Sequence, residues 1–298
     1  MKMQIAFYAS DNKDQELSIA EGFRKGAALR HDNVEIIPTS HFPSNGVDPR
    51  FDVACFFGVK GHSRAIMEAY LDAGKRTLMF DKAIIRPVLG APHGYYRVSI
   101  DQGDPSRHMM RVVRTFERWE KLGIQFAERQ PADEDGRGAI IFAGSSQKYC
   151  DWYGLGDAND YAESILVACH DHAPKRRLVY RPKPSFTGYR AIYGARLSKE
   201  ESLADCLRGA HCLITHGSSA AIDAIVRGVP AITLGPCAAK FICGRSVEDV
   251  RSPPWPSEAA KFQWASNLAW FQWTVPEMAS GEMWTFLRRE LRATAHDE

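Results

Sequence analysis

The chain has 298 residues, 45% of them hydrophobic and 25% charged, with a formal net charge of +2. That length exceeds one compact domain and suits two α/β domains of about 130 to 150 residues each. The composition excludes a disordered chain, and so small a net charge excludes a globally basic nucleic-acid binder, so any basic surface has to be local.

No run approaches the ~18 consecutive apolar residues of a membrane span, and the first residues enter a strand-like run without a signal-peptide pattern. A cytoplasmic protein with no membrane span is expected. Apolar runs at Met3 to Tyr8, Val34 to Pro38, Val53 to Phe57 and Thr77 to Phe80 predict strands. Helical periodicity over about Gln15 to Leu29 and Ser63 to Ala73 separates them, so a parallel sheet is expected. A long helix is predicted from about Ser106 to Leu122. The stretch Gln130 to Gly138 is polar and rich in turn formers, which marks a linker. The alternation then restarts, with strands at Ala139 to Ala143, Arg177 to Tyr180, Cys212 to Thr215 and Ala231 to Leu234. Helices are expected near Asp160 to His170, Ser202 to Ala210 and Ser219 to Arg227, the first opened by a capping box of Asp160 and Glu163. Trp273 to Arg292 reads as a terminal amphipathic piece. The expected architecture is therefore two Rossmann-like parallel-sheet domains facing a cleft. The first spans 1–130, 131–138 is the linker, 139–272 the second domain, and 273–298 a helix that crosses back to the first.

Cysteines at 55, 150, 169, 206, 212, 237 and 243 form no Cys-x-x-Cys pair, so neither a disulfide framework nor a zinc site is indicated. His170 and His172 have no carboxylate or cysteine set at zinc spacing and read as a helix-end pair. No metal site is expected.

In such folds ligands sit beyond the carboxyl ends of the parallel strands. In the second half those positions are Gly144-Ser145-Ser146-Gln147-Lys148, Arg181-Pro182-Lys183-Pro184-Ser185, His216-Gly217-Ser218-Ser219 and Gly235-Pro236-Cys237. For one such loop a plain helix cap is the simpler account. Four at successive strand ends point to an anion site: Lys183 and Arg181 can pair with phosphate, the serines can donate hydroxyls, and the helix after Ser219 adds its dipole. A nucleotide diphosphate is the natural guest. Asp223, one turn into that helix, is either a ligand for a ribose hydroxyl or a solvent-exposed carboxylate.

Arg181-Pro182-Lys183-Pro184, then Thr215-His216-Gly217-Ser218-Ser219-Ala220-Ala221-Ile222-Asp223-Ala224 and Gly228-Val229-Pro230-Ala231-Ile232, resemble the donor domain of GT-B glycosyltransferases, in particular the capsule-polysaccharide and phage DNA-modifying groups. The ending Gln272-Trp273-Thr274 through Glu277-Met278 and Ser280-Gly281 is similar to a C-terminal motif of those groups. The resemblance covers roughly Ala139 to Trp284. It implies a metal-independent glycosyltransferase without a cofactor, using a nucleotide-sugar as co-substrate, UDP-linked by expectation. The first domain would hold the acceptor and the second the donor, and a phage-encoded chain would work in the host cytoplasm.

Sugar transfer builds charge on a departing diphosphate, which Ser218, Ser219, Lys183 and Arg181 can meet by preorganised electrostatics. The acceptor hydroxyl needs a base from the first domain. Asp81, after the Thr77 strand, is the first choice, followed by Asp101 and Asp104, and by His62 after the Val53 strand; for each the alternative is a turn carboxylate or a satisfied loop histidine. Arg107, Arg111, Arg114 and Arg118 recur at helical spacing and would line one basic face, either solvated or tracking the phosphates of double-stranded DNA. On this reading the acceptor is a hydroxymethylated pyrimidine in phage DNA. The alternatives are a surface polysaccharide, a sugar-nucleotide epimerase of the same fold, and a non-catalytic nucleotide-sugar binder. The aromatic set Trp255, Phe262, Trp264, Trp270, Phe271, Trp273 and Trp284 reads as interdomain packing rather than a sugar or base platform. The oligomeric state is not legible.

Overall fold

A computed structural model describes the chain apart from residues 1, 11, 59–60, 111–112, 132–137 and 294–298 and the side chains of residues 43, 44, 88 and 107. Its first elements are β1 (Gln4–Ala9), α1 (Asp14–Ala28), β2 (Asn33–Pro38), α2 (Phe42–Asn45), β3 (Val53–Phe57), α3 (Ser63–Asp72), β4 (Arg76–Lys82), β5 (Tyr95–Ile100), α4 (Ser106–Met109) and α5 (Glu117–Leu122). There follow β6 (Ile140–Ala143), α6 (Gln147–Tyr153), α7 (Ala158–His172), β7 (Leu178–Arg181), β8 (Ala195–Leu197), α8 (Leu203–Leu207), β9 (Cys212–Thr215), α9 (Ala220–Val226) and β10 (Ala231–Thr233). The chain ends with α10 (Glu258–Ala269), β11 (Gln272–Thr274), α11 (Val275–Ala279) and α12 (Glu282–Ala293).

Two compact units result. One comprises Met1–Pro87, Pro92–Arg118 and Ser266–Glu298, the other Val88–Ala91 and Trp119–Ala265. Residues 119–130 thus belong to the second unit, and 266–272 to the first. Most of the expected 131–138 linker lies outside the described residues.

The first unit is built on a six-stranded sheet in the order β11-β5-β4-β3-β1-β2. Strands β1 to β4 pair in parallel. Their interior residues Ile5, Phe7, Ala54, Cys55, Leu78 and Phe80 are fully buried, as expected of strands covered on both faces. Helix α1 buries Ile19, Ala20, Phe23 and Ala27 along one stripe. Gly26 lets α1 approach α11 closely: a Cβ there would collide with the Met278 carbonyl. Beyond these four expected strands, the sheet gains two that the sequence reading did not name: β5 runs antiparallel to β4 and β11 antiparallel to β5. The chain therefore leaves β5 on the side where β4 begins. There Asp101, at a left-handed φ of 56°, accepts hydrogen bonds from Thr77 N (2.8 Å) and Arg76 Nε (2.7 Å).

The expected helix Ser106 to Leu122 forms only as the short α4 and α5. The basic face dissolves with it. Arg111 and the side chain of Arg107 lie outside the description. Arg114 is buried against Glu290 at 2.8 Å, with its guanidinium 4.7 Å from the Phe286 ring centre. Arg118, 5% exposed, donates from all three nitrogens: Nε to Ala269 O, Nη1 to Glu277 and Glu282, and Nη2 to Gln272 O and Glu277. The Trp273 ring lies 3.6 Å away beneath it. Neither arginine can track phosphates, because both are spent on the returning C-terminal segment.

The C-terminal elements are held equally firmly. Asp32 accepts from Trp284 Nε1 (2.8 Å), Arg288 Nε (2.7 Å) and Met3 N (2.7 Å). Burial alone would raise its carboxyl, but these bonds outweigh that cost and hold it below the usual carboxylate range. Most of the aromatic set packs within one unit or the other. Trp273, Phe271 and Trp284 are buried in the first unit, and Trp264 is buried in the second beside Trp119. Phe262 is the exception, at 53% exposure.

The second unit is a five-stranded, wholly parallel sheet in the order β10-β9-β6-β7-β8. Ile140, Phe142, Leu166, Ile214 and Ile232 form the core between this sheet and α7. Helix α7 is capped by Asp157, whose carboxylate accepts from Asn159 N and Asp160 N. The expected capping box of Asp160 and Glu163 is absent, since both carboxylates bind Arg190 instead. His170 and His172 occupy the last turn of α7, and all seven cysteines are free thiols. No helix among the described residues is long and apolar enough to cross a membrane.

Arg118→Met would take the guanidinium from part-buried Glu277, which keeps its Thr274 donors, and from the carbonyls of Ala269 and Gln272. We expect about 3–5 kcal/mol of destabilisation, read from the urea midpoint. Burial by itself would raise the Glu277 carboxyl, but the Thr274 amide and Arg118 together hold it below its ordinary value. A depressed folded pKa gives stability that is present at neutral pH and lost as the pH falls through the folded value. That acid-dependent component should shrink in Arg118→Met.

Candidate functional site

Because every pair in the second sheet is parallel, the loops after all five strands emerge on one edge. The chain runs from β6 to β7 and β8 in one direction, and β9 and β10 lie on the other side of β6. The topological switch point is therefore between β6 and β9, where open α/β sheets hold ligands. It is flanked by Gly144-Ser145-Ser146 after β6 and His216-Gly217-Ser218-Ser219 after β9. Thr215 Oγ1 donates to Ala143 O (2.9 Å) and locks the two strand ends together.

Local sterics explain the glycines. A Cβ at Gly144 would stand 2.9 Å from the Tyr180 ring, one at Gly217 would strike Tyr149 Oη and the Pro236 carbonyl, and one at Gly235 would overlap the His216 imidazole. The turn into α9 is more closed than expected. Ser218 N donates to Thr215 Oγ1 (3.4 Å), while Ala220 N and Ala221 N donate to Ser218 Oγ and Ser218 O (3.2 Å each). These amides are committed within the turn, so the loop presents its half-buried Ser218 and Ser219 rather than an open ring of N–H groups.

His216 is 8% exposed and ringed by Tyr149, Tyr153 and Tyr161, with centroids 5.9, 5.7 and 5.5 Å away. Its Nδ1 lies 2.7 Å from Tyr161 Oη. Burial lowers the imidazole pKa, so the ring is neutral at neutral pH, and burial pushes the Tyr161 phenol up to about 12. The three tyrosines escape the strand-end rule because they sit on helices. Tyr149 and Tyr153 lie four apart on α6, which Gly154 closes as a left-handed cap, and that spacing is the signal the sequence offered.

The other expected donor residues divide. Lys183 is exposed beyond β7 and makes no ion pair among the described residues. Arg181 is engaged elsewhere, donating from Nη1 to Ser198 Oγ and Glu200 O (2.8 Å each) and so fixing the loop after β8. Asp223 is 3% exposed on α9, every residue of which is buried, so it has neither a solvated nor an open face toward a ribose.

In the first unit, Asp81 lies within β4 rather than after it. Its Oδ2 binds Arg97 on β5 (2.7 Å) and its Oδ1 accepts from Lys82 N (2.7 Å). Asp104 is buried and accepts from Ser106 N (2.8 Å); like Asp101 it follows β5, away from the carboxyl ends of β1–β4. The antiparallel turn of β5 moves both away from the edge a base would occupy. His62 is exposed immediately before α3, on the carboxyl side of β3.

Among the described residues no group of three His, Cys, Asp or Glu side chains could hold a metal ion. A cavity of about 330 Å³ lined by Arg129, Gln130, Pro131, Ala210, His211 and Pro230 lies where β9 and β10 begin, at the opposite edge of the sheet from the strand-end loops.

Gly235→Ala should displace His216 and destabilise the second unit by about 1–3 kcal/mol, as overpacking does. Chemical unfolding of the purified variant checks this, with an unchanged midpoint as the contrary result.

No family model matches the sequence, and no curated protein matches it. Among solved structures the chain is similar to the beta Kdo 2,4 transferase of Thermosulfurimonas dismutans KpsC, at 12% identity and a TM-score of 0.52, over 89% of this chain and 90% of that one. It is also similar to the beta Kdo 2,7 transferase of the same KpsC, at 10% identity and a TM-score of 0.51, over 96% and 100%. Likeness at that identity speaks for the fold: the chain has the GT-B architecture of two Rossmann-like units.

Proposed function

We propose that the chain is a glycosyltransferase that moves a sugar from a nucleotide-linked donor to a hydroxyl of a carbohydrate acceptor. The observation that carries this reading is the switch point of the second sheet. Two glycine- and serine-rich loops flank it, and the exposed Lys183 emerges on the same edge after the neighbouring β7. Charge on the departing phosphate would be met by Lys183 and the hydroxyls of Ser145, Ser146, Ser218 and Ser219. DNA loses its motive as acceptor, because Arg114 and Arg118 are core residues. A glycan acceptor needs no such basic face. Kdo, the sugar named for the two KpsC transferases, joins the UDP-linked hexoses as a donor to test. For the base, His62 is preferred over Asp81, since its imidazole is exposed while both Asp81 oxygens are bound.

Labelled UDP-hexoses or activated Kdo, incubated with oligosaccharides, hydroxymethylated duplex DNA or buffer alone, test the reading. Label on the oligosaccharide is expected. Label on DNA alone would restore the nucleic-acid acceptor, an altered free sugar would mark an epimerase, and no turnover with any donor would sink the proposal. Lys183→Ala should weaken donor binding by about 1–3 kcal/mol in calorimetry. His62→Ala should lower turnover about 10²-fold with donor affinity unchanged.

A further inference from the structure

Resting on that donor site, the His216 environment carries a more specific reading. Nδ1 of the ring faces Tyr161 Oη at 2.7 Å, and the phenol has no other hydrogen-bond partner among the described residues. A protonated phenol has to donate somewhere, and Nδ1 is the acceptor within reach. A neutral imidazole that accepts at Nδ1 carries its one proton on Nε2. That second nitrogen makes no hydrogen bond among the described residues, in a side chain more than nine-tenths buried. It stands over Gly235, close enough that a Cβ there would overlap it, so the glycine makes room for the ring. Its place is the first residue beyond β9, beside the switch point.

We propose that Tyr161 is a positioning residue: its hydroxyl donates to His216 Nδ1, fixes the proton on Nε2, and makes that nitrogen a neutral donor to a phosphate oxygen of the bound nucleotide. A neutral donor complements Lys183, which supplies charge without direction, whereas the imidazole is held in one orientation by three tyrosine rings. The serine-rich loop, whose first amides are committed internally, then gains a directed N–H from the side chain that precedes it.

The test combines a spectroscopic readout with binding. Nitrogen-15 imidazole correlations on the full chain at neutral pH should show His216 as the Nε2–H tautomer, and Tyr161→Phe should redistribute it toward Nδ1–H. Calorimetry with the four nucleoside monophosphates and four nucleoside diphosphates follows. For those that bind the wild type, Tyr161→Phe should weaken affinity about fivefold and His216→Phe at least as much. The double variant should lose no more than His216→Phe alone, since Tyr161 acts through the imidazole. Thermal melting of each variant confirms that it is folded. An Nδ1–H tautomer in the wild type overturns this inference alone, as does wild-type nucleotide affinity in both folded single variants. A wild type that binds no nucleotide overturns the donor-site reading beneath it, whatever the tautomer.

Discussion

The first unit depends on the charge of Arg118 being satisfied inside it. Three separate stretches of chain make that unit, and the last, Ser266–Glu298, returns to it after the whole second unit has been completed. Something has to hold that return against the entropy of closing so long a loop, although that entropy grows only logarithmically with length. Arg118 is the last residue of the outgoing stretch, and its guanidinium donates to the carbonyls of Ala269 and Gln272 and the carboxylates of Glu277 and Glu282. A buried ion cluster adds little net stability over an apolar replacement, yet it tolerates no missing partner. Its value here is register. Glu277 also closes the capping box of α11 with Thr274, so one arginine orients both the edge strand β11 and the helix that follows it.

That same arginine shows where local sequence reasoning stops. Arg107, Arg111, Arg114 and Arg118 have the spacing of one helical face, and nothing nearby says that the helix breaks after Met109. The partners that bury Arg114 and Arg118 lie more than 150 residues along the chain, at Glu290 and Glu277. Asp101 and Asp104 lie away from the strand ends for a related reason. Their placement turned on the direction of β5, and a short alternating run reads identically whether its neighbour is parallel or antiparallel. By contrast, β1, β3, β6 and β9 were legible because buried parallel strands are apolar on both faces. The four strand-end loops of the second unit could be named from sequence because ligands in open α/β sheets lie beyond the carboxyl ends of the strands, whereas the strand order that singles out the loops after β6 and β9 depends on the jump from β8 to β9 across the sheet.

The candidate site shows a subtler limit. Gly144, Gly217 and Gly235 read as room for a ligand to approach the backbone, and in the structure each first makes room for the protein's own ring: Tyr180, Tyr149 and His216 respectively. The two accounts do not compete. A loop that must pass over an aromatic ring without a side chain of its own leaves its outer surface bare, and a bare backbone over a rigid floor is what a phosphate site requires. The glycines are thus fixed by packing from below; Gly217 and Gly235 keep part of their surface open, while Gly144 is buried.

This arrangement also ranks the residues around the switch point. Arg181 has the charge for a phosphate ligand, but three acceptors in the Ser198–Glu201 loop take its donors, so its effect on a ligand is to hold that loop in place. Lys183, two residues on, has the same sign of charge without such partners among the described residues, and a flexible ammonium loses little by waiting in solvent. His216 is the reverse case: nearly buried, uncharged and rigidly framed. Preorganised groups contribute most where charge develops, because they need no rearrangement at that moment. A site that pairs one mobile cation with one fixed neutral donor can capture an anion through the first and orient it through the second. On the proposed reading the two roles divide by burial, which disfavours charge on His216, whereas Lys183 stands in solvent.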